Sequence, residues 1–313
     1  MIIKRNFSPI RVWQYTRQPM SFILFWSIAV WALYQWTGSK TMALNFTPAG
    51  VMGSALAIFI AFRNNSAYSR WWEARTIWGS IINNSRILAR QVISNTANAI
   101  ATGKASEATV RGFQQELLYR QAAFAHALRL HLRQQDAWEE LKALLPEEEY
   151  QELLTKQNKP NHLLLVQGNR IKEGMRLELL GPFDNISMEP TLGGFSNFQC
   201  SCERIKNTPL PRQYDFFTRV FVYVFALLLP FSLLGFFVQN NTDLSWLIIP
   251  LSLIIAGVFV IMERTGAANE DPFENKVTDI PLTALCNTIE RDLKEMLGEA
   301  LPAKTEPEKG YLF

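Results

Sequence analysis

The sequence predicts an all-α membrane protein whose spans are separated by a large, polar helical domain. Three observations carry that class: apolar residues bunched into four clusters, helical spacing through the polar middle, and basic residues gathered at one side of the clusters. Chain averages conceal the pattern. With 313 residues, a net charge of +3 and a mean hydropathy of +0.00, the whole reads as a soluble protein of two domains.

The apolar clusters cover 20–36, 48–62, 216–238 and 246–262. A helix needs about 20 apolar residues to cross the hydrocarbon core, with a range of roughly 17 to 25. The third cluster qualifies despite Arg219 and Pro230, and the fourth sits at the lower limit. The first two are short unless their flanks continue the helix, which predicts that they pack among neighbours. The first contains tryptophans and no small-residue cleavage site, so it reads as a retained helix and not a signal peptide.

Loop charge sets the orientation. Lys4, Arg5, Arg11 and Arg17 precede the first span, Arg63, Arg70 and Arg75 follow the second, and Arg204, Lys206 and Arg212 precede the third. The opposite connectors carry only Lys40 and Asp243. By the positive-inside rule both termini and the middle segment are cytoplasmic. The expected division is 1–62 for the N-terminal segment and first two spans, 63–213 for a cytosolic helical domain, 214–262 for the last two spans, and 263–313 for a cytosolic tail.

Within the middle segment, Phe113, Leu117, Leu118, Ala122, Phe124, Leu128 and Leu132 recur mostly at three- and four-residue intervals, predicting an amphipathic helix. Pro146 followed by Glu147, Glu148 and Glu149 marks a helix start, since proline and acidic side chains suit a first turn. Pro160 and the Gly181–Pro182 pair punctuate further helices, and NTPLP at 207–211 breaks the chain before the third span.

The most informative stretch is SALAIFIAFRNNSAYSRWWEARTIWG at 54–79. Its first part continues a thin, uncharged helix over about 48–62, rich in Ala and Gly, which can pack closely around an axis and suits a pore better than a lipid anchor. It runs into Arg63, Arg70, Trp71, Trp72 and Arg75, a cationic and aromatic collar of the kind found where membrane meets cytoplasm.

The strings FRNNSAYSRWWEARTIWG at 62–79, AHALR at 125–129, CERIKNTPLPRQY at 202–214 and EDPFENKVTDIPLTALCNTIERDL at 270–293 resemble bacterial homologues of the bestrophin ion-channel family. The resemblance covers nearly the whole chain. It implies a homopentamer with four membrane helices per subunit around one axial pore, a cytosolic vestibule, and a neck lined by the second span. Small monovalent ions are the implied cargo, chloride or other anions first, across a bacterial inner membrane. A sodium or potassium channel on the same fold, and a membrane-anchored scaffold without conduction, stay open as alternatives.

Ser54, Ile58 and Phe62 are spaced by four and share one helix face. Such a stripe ordinarily means helix packing; turned to a fivefold axis it makes apolar rings that gate by dewetting. Family members usually carry a bulky apolar residue at the uppermost position, where this chain has Ser54. The collar arginines Arg63, Arg70 and Arg75 either attract anions or are pinned by carboxylates, with Glu73 near in sequence. Trp71, Trp72 and Trp78 read as interface anchors, and Asn64, Asn65, Asn83 and Asn84 as ties between helices. The resemblance places a second, cytosolic aperture at Ile186, for which core packing is the alternative.

Animal bestrophins hold Ca²⁺ with a run of acids, but here Glu274, Asn275, Lys276, Val277, Thr278 and Asp279 make a poor cage. No calcium clasp and no cofactor is expected; Glu270, Asp271 and Glu274 read as solvated surface or helix caps, with a weakly bound ion as the alternative. Enzyme chemistry finds no motif. His126 and His131 are five apart, and Cys200, Cys202 and Cys286 lack a zinc-site pattern and read as reduced thiols. The partners expected are further copies of the chain, the bilayer and small ions, with no nucleic acid.

Overall fold

The computed structural model describes residues 1–4, 9–240 and 244–313, and the side chains of all of these but 9–12. Arg5, the Arg11 side chain and Asp243, used in the charge argument, lie outside the described residues. Nine α-helices follow one another among the described residues: α1 (Pro9–Thr37), α2 (Phe46–Ala101), α3 (Glu107–Arg133), α4 (Glu147–Leu154), α5 (Lys159–Arg176), α6 (Asp184–Asn207), α7 (Arg212–Gln239), α8 (Ile248–Asn269) and α9 (Leu282–Met296). The only strand-like pairings among the described residues are isolated bridges at Tyr311.

Four segments are long and apolar enough to cross a membrane: Trp13–Thr37, Lys40–Ala101, Arg212–Gln239 and Ser245–Asn269. The two short clusters therefore gain length from helical flanks. The second does so most, because α2 is a single helix of 56 residues. No proline occurs between Pro48 and Pro146, so no ring blocks the backbone ladder. The helix stops at Gly103, whose φ of 68° suits the left-handed cap, while Lys104 N–H returns to the Ala99 carbonyl at 3.0 Å.

The chain forms two compact units, one of 4–70 and 209–271, the other of 1–3, 71–208 and 272–313. In the first, α8 packs against α1 and α7, and α1 against α7. Its core joins Ile23, Val30, Leu56, Ile60, Phe225, Leu229, Ala256 and Val260, with the Phe225 and Phe259 rings edge-on at 4.9 Å. Small residues permit close approach: a Cβ at Gly53 would meet the Phe225 ring at 3.2 Å, and one at Gly257 the Met20 side chain at 3.0 Å.

In the second unit α3 is central, packed by α5, α6 and α9. Its caps are legible in sequence: the Ser106 side chain accepts the Thr109 N–H at 3.1 Å, and the acidic triplet after Pro146 forms the first turn of α4. Its amphipathic reading needs correction. Residues Arg120 to Leu130 are buried on every side, because polar members bring partners with them. Arg120 meets Glu149 at 2.6 Å and Glu116 at 2.9 Å, and Arg129 pairs with Glu140. Residues from both ends of the chain belong to this unit: Ile3 N–H donates to the Gly310 carbonyl at 3.1 Å and Leu312 N–H to Met1 at 2.9 Å.

Candidate pore neck and cytosolic collar

The 3.6-residue period of α2 divides it into two faces. Leu56, Ile60, Arg63 and Ala67 are buried within the unit. Opposite them, Ser54 is exposed, Ile58 is 57% exposed and Phe62 is 70% exposed. The neck stripe thus lies on the side of α2 that the chain itself leaves uncovered. Ser54 folds its hydroxyl back onto the Gly50 carbonyl at 3.0 Å, so this proton is spent within the helix.

One residue beyond Phe62 the helix turns a charge inward. Arg63 is only 6% exposed and pairs with Asp215 of α7 and, at 3.5 and 3.4 Å, with Glu263 of α8 and Glu270. It also donates to the Glu263 carbonyl at 3.1 Å. Arg219 adds contacts to Asp215 at 2.9 Å and Glu263 at 3.8 Å, and Arg212 reaches Glu270 at 3.6 Å. Among the described residues the cluster balances three guanidinium groups against three carboxylates. Beside it Asn64 donates to the Met262 carbonyl at 3.0 Å, and its side chain lies against Gly266, leaving no room for a Cβ. This junction fixes α2 to α7 and α8 immediately after the exposed stripe.

Glu270, read from sequence as solvated surface or a cap, is instead buried beside Arg63. Asp215 and Glu263 were not singled out in sequence, since Arg63 is remote along the chain from both, although Arg219 stands one helical turn after Asp215. A further hint was a carboxylate at the very edge of a nearly uncharged apolar run, where membrane helices rarely keep one unless it is paired.

The remaining collar separates. Arg70 is half-buried. Arg75, which makes no ion pair with a described residue, lines an open groove of about 530 Å³ with Trp71, Trp72, Thr76, Ser80 and Asn83. Glu73 is engaged by Arg204. Trp78 is not an interface anchor: it is fully buried in the core of the helical unit, where a large apolar ring fills space that a membrane surface would not. Asn64 ties helices as expected, while Asn65 is exposed. Ile186, in the first turn of α6, is 69% exposed and so does not pack into the core of its own chain.

The acidic tail segment is occupied by internal partners. Glu274 meets Lys206 at 2.7 Å, and Asp279 accepts the Lys276 N–H at 3.0 Å. His126 faces Glu290 at 3.3 Å and His131 faces Glu203 at 3.4 Å. Hydrogen bonding to His126, then to Lys294, holds the Glu290 carboxyl down at about 2. Cys286 is pushed up to about 12 by burial, and burial also raises Cys202, which keeps both thiols protonated and unreactive. Among the described residues no three His, Cys, Asp or Glu side chains converge as metal ligands.

Residues 10–295 match the family model for bacterial and fungal bestrophin proteins. The chain belongs to that bestrophin family. This bestrophin is 35% identical over 286 residues to the voltage-dependent anion channel-forming protein YneE of Escherichia coli K12, covering 91% of the chain and 88% of the relative. It is 32% identical over 282 residues to the voltage-dependent anion channel-forming protein RSc3414 of Ralstonia nicotianae, covering 90% and 87%. Its structure resembles the crystal structure of a bacterial bestrophin homologue from Klebsiella pneumoniae, with a TM-score of 0.79, 32% identity, and coverage of 90% of this chain and 98% of that one. The all-α bestrophin fold read from the sequence strings is thereby the fold of this membrane protein.

Proposed function

We infer that this bestrophin is an anion channel, chloride among its ions, working as a homopentamer in the bacterial inner membrane with both termini cytoplasmic. The observation that carries the reading is the uncharged stripe Ser54, Ile58 and Phe62, exposed on a membrane-length helix whose other face is packed. Five such stripes around an axis make a neck with apolar rings of Ile58 and Phe62 below a ring of Ser54. A ring of this kind blocks ions while dry and passes them once slightly wider. Ile186 forms the second aperture, exposed as a pore-lining residue must be within its own chain.

The anion preference is supported by the names of the relatives, and by Arg75, a cation without a carboxylate partner among the described residues. Fixed positive charge along a mouth raises the local anion concentration. Arg63 and Arg70 then serve the neck as structural supports. Helical spans suit the inner membrane, since bacterial outer-membrane proteins span as barrels. Residues 1–3 and 310–313 hydrogen-bond within one unit, which supports placing both ends on one side. Relatives named as channels support a role without catalysis.

One observation favours a monovalent cation channel on the same fold: Arg63, the cation nearest the neck, is neutralised by its carboxylates. The reversal potential in a planar bilayer under a KCl gradient separates the readings. A value near the chloride equilibrium is expected, and one near the potassium equilibrium assigns cation selectivity. No current from a preparation shown to be oligomeric favours a scaffold.

A further inference from the structure

Beside the balanced Arg63 cluster, Arg264 is a cation left over. Its guanidinium has no carboxylate within 4.0 Å among the described residues, the neighbouring Glu263 being turned to Arg63 and Arg219. Yet it is held in place. Arg264 donates to the Tyr15 carbonyl at 2.7 Å, the Tyr15 hydroxyl donates back to the Arg264 carbonyl at 2.6 Å, and the guanidinium lies 5.4 Å from the centre of the Tyr15 ring. These contacts use few of the five N–H donors that an arginine carries.

The fixed guanidinium borders a cavity of about 290 Å³ between α1, α7 and α8, lined by Arg219, Arg264, Tyr15 and the Arg-paired Glu263 at its polar end and by Val222, Tyr223 and Val260 one turn further along the spans. Its level in the membrane follows from topology. Tyr15 and Arg219 stand near the starts of the first and third spans, and Arg264 near the end of the fourth. Alternating spans put those three ends on one side, and the positive-inside rule makes it the cytoplasmic side. A polar, cationic end at the headgroup level joined to an apolar end deeper in the bilayer matches the two halves of a phospholipid.

We propose that Arg264 and Arg219 bind the headgroup phosphate of an anionic glycerophospholipid from the cytoplasmic leaflet, its acyl chain running along Val222 and Val260. The charge count selects the class: with the Arg63 cluster neutral, one uncompensated positive charge suits the single negative charge of a phosphodiester such as phosphatidylglycerol. Tyr223, 40% exposed, adds an aromatic face to the apolar end. The site rests on the membrane reading of the four spans and not on conduction.

The test is native mass spectrometry of the purified full-length oligomer, titrated with phosphatidylglycerol, phosphatidylcholine or inorganic phosphate. Phosphatidylglycerol is expected to bind, and Arg264→Gln to weaken it roughly fivefold while leaving phosphatidylcholine unchanged, as expected for one basic side chain at a membrane surface. Val260→Trp, which fills the apolar end and keeps both arginines, is expected to weaken it as well and stands in if Arg264→Gln fails to assemble. Equal binding of the two lipids, unchanged binding in either variant, or displacement of the lipid by equimolar phosphate overturns the proposal. Lipid binding in a preparation that passes no current leaves this site standing and rejects the channel.

Discussion

At the scale of single residues, two neighbours on α2 have opposite fates. Phe62 faces out and Arg63 turns in, because adjacent helical positions differ by about 100° and only one side of α2 is covered. The spacing of the neck stripe was legible in sequence. The inward turn of Arg63 was not, as its partners stand 152, 200 and 207 residues away. Removing one member of a buried pair strands the others, so Arg63→Ala is expected to cost about 3–5 kcal/mol. Thermal unfolding of the purified protein checks this; a midpoint within a degree of wild type would refute the buried latch. Ile58→Ala and Phe62→Ala remove no packing from the chain's own core and are expected to raise conductance or open probability. Unchanged currents in both variants, with intact oligomers, reject the neck assignment.

At the scale of elements, α2 and α3 show what a local pattern conveys and where it stops. Proline and glycine positions marked the breaks correctly around α4, α5, α6 and α7, since ring closure and left-handed caps are local constraints. The burial of α3 on all sides was hidden, because Arg120 and Arg129 read as polar until Glu149 and Glu140, from the segments that follow α3, fold back to neutralise them. Between α3 and α9 the His126–Glu290–Lys294 contact adds a pH dependence. Glu290 is held at about 2 when folded against an ordinary 4.5. Its depressed value means that its stabilisation is complete above pH 4.5 and is lost as pH falls toward 2. Denaturant midpoints measured across that window should fall for wild type and fall less steeply for Glu290→Gln. Parallel acid limbs would show that the contact contributes nothing.

At the scale of the whole molecule, orientation and assembly are the consequences to test. Lys40 and Lys104 are exposed in connectors on opposite sides of the proposed bilayer. In a Cys200→Ser background, Lys40→Cys should react with an impermeant maleimide in intact cells, and Lys104→Cys only after lysis. The reverse pattern would invert the protein in its membrane. Native mass spectrometry of the same material should give five copies per particle, and another count would redraw the neck.

The sequence by itself determined the class, the four spans, the breaks at Pro146, Pro160, Gly181–Pro182 and 207–211, and the family. Those follow from composition, periodicity and contiguous strings, all properties of neighbours along the chain. Only the tertiary structure decided which α2 face is covered, that Arg63 is neutralised by Asp215, Glu263 and Glu270, that Trp78 is core, and that Arg264 is left with an unspent charge. The settings of Arg63 and Arg264 depend on residues some 150 to 250 positions apart meeting in space. The balance of charge in a membrane protein is settled by such meetings, because a low dielectric makes an ion's partner matter more than its place in the sequence.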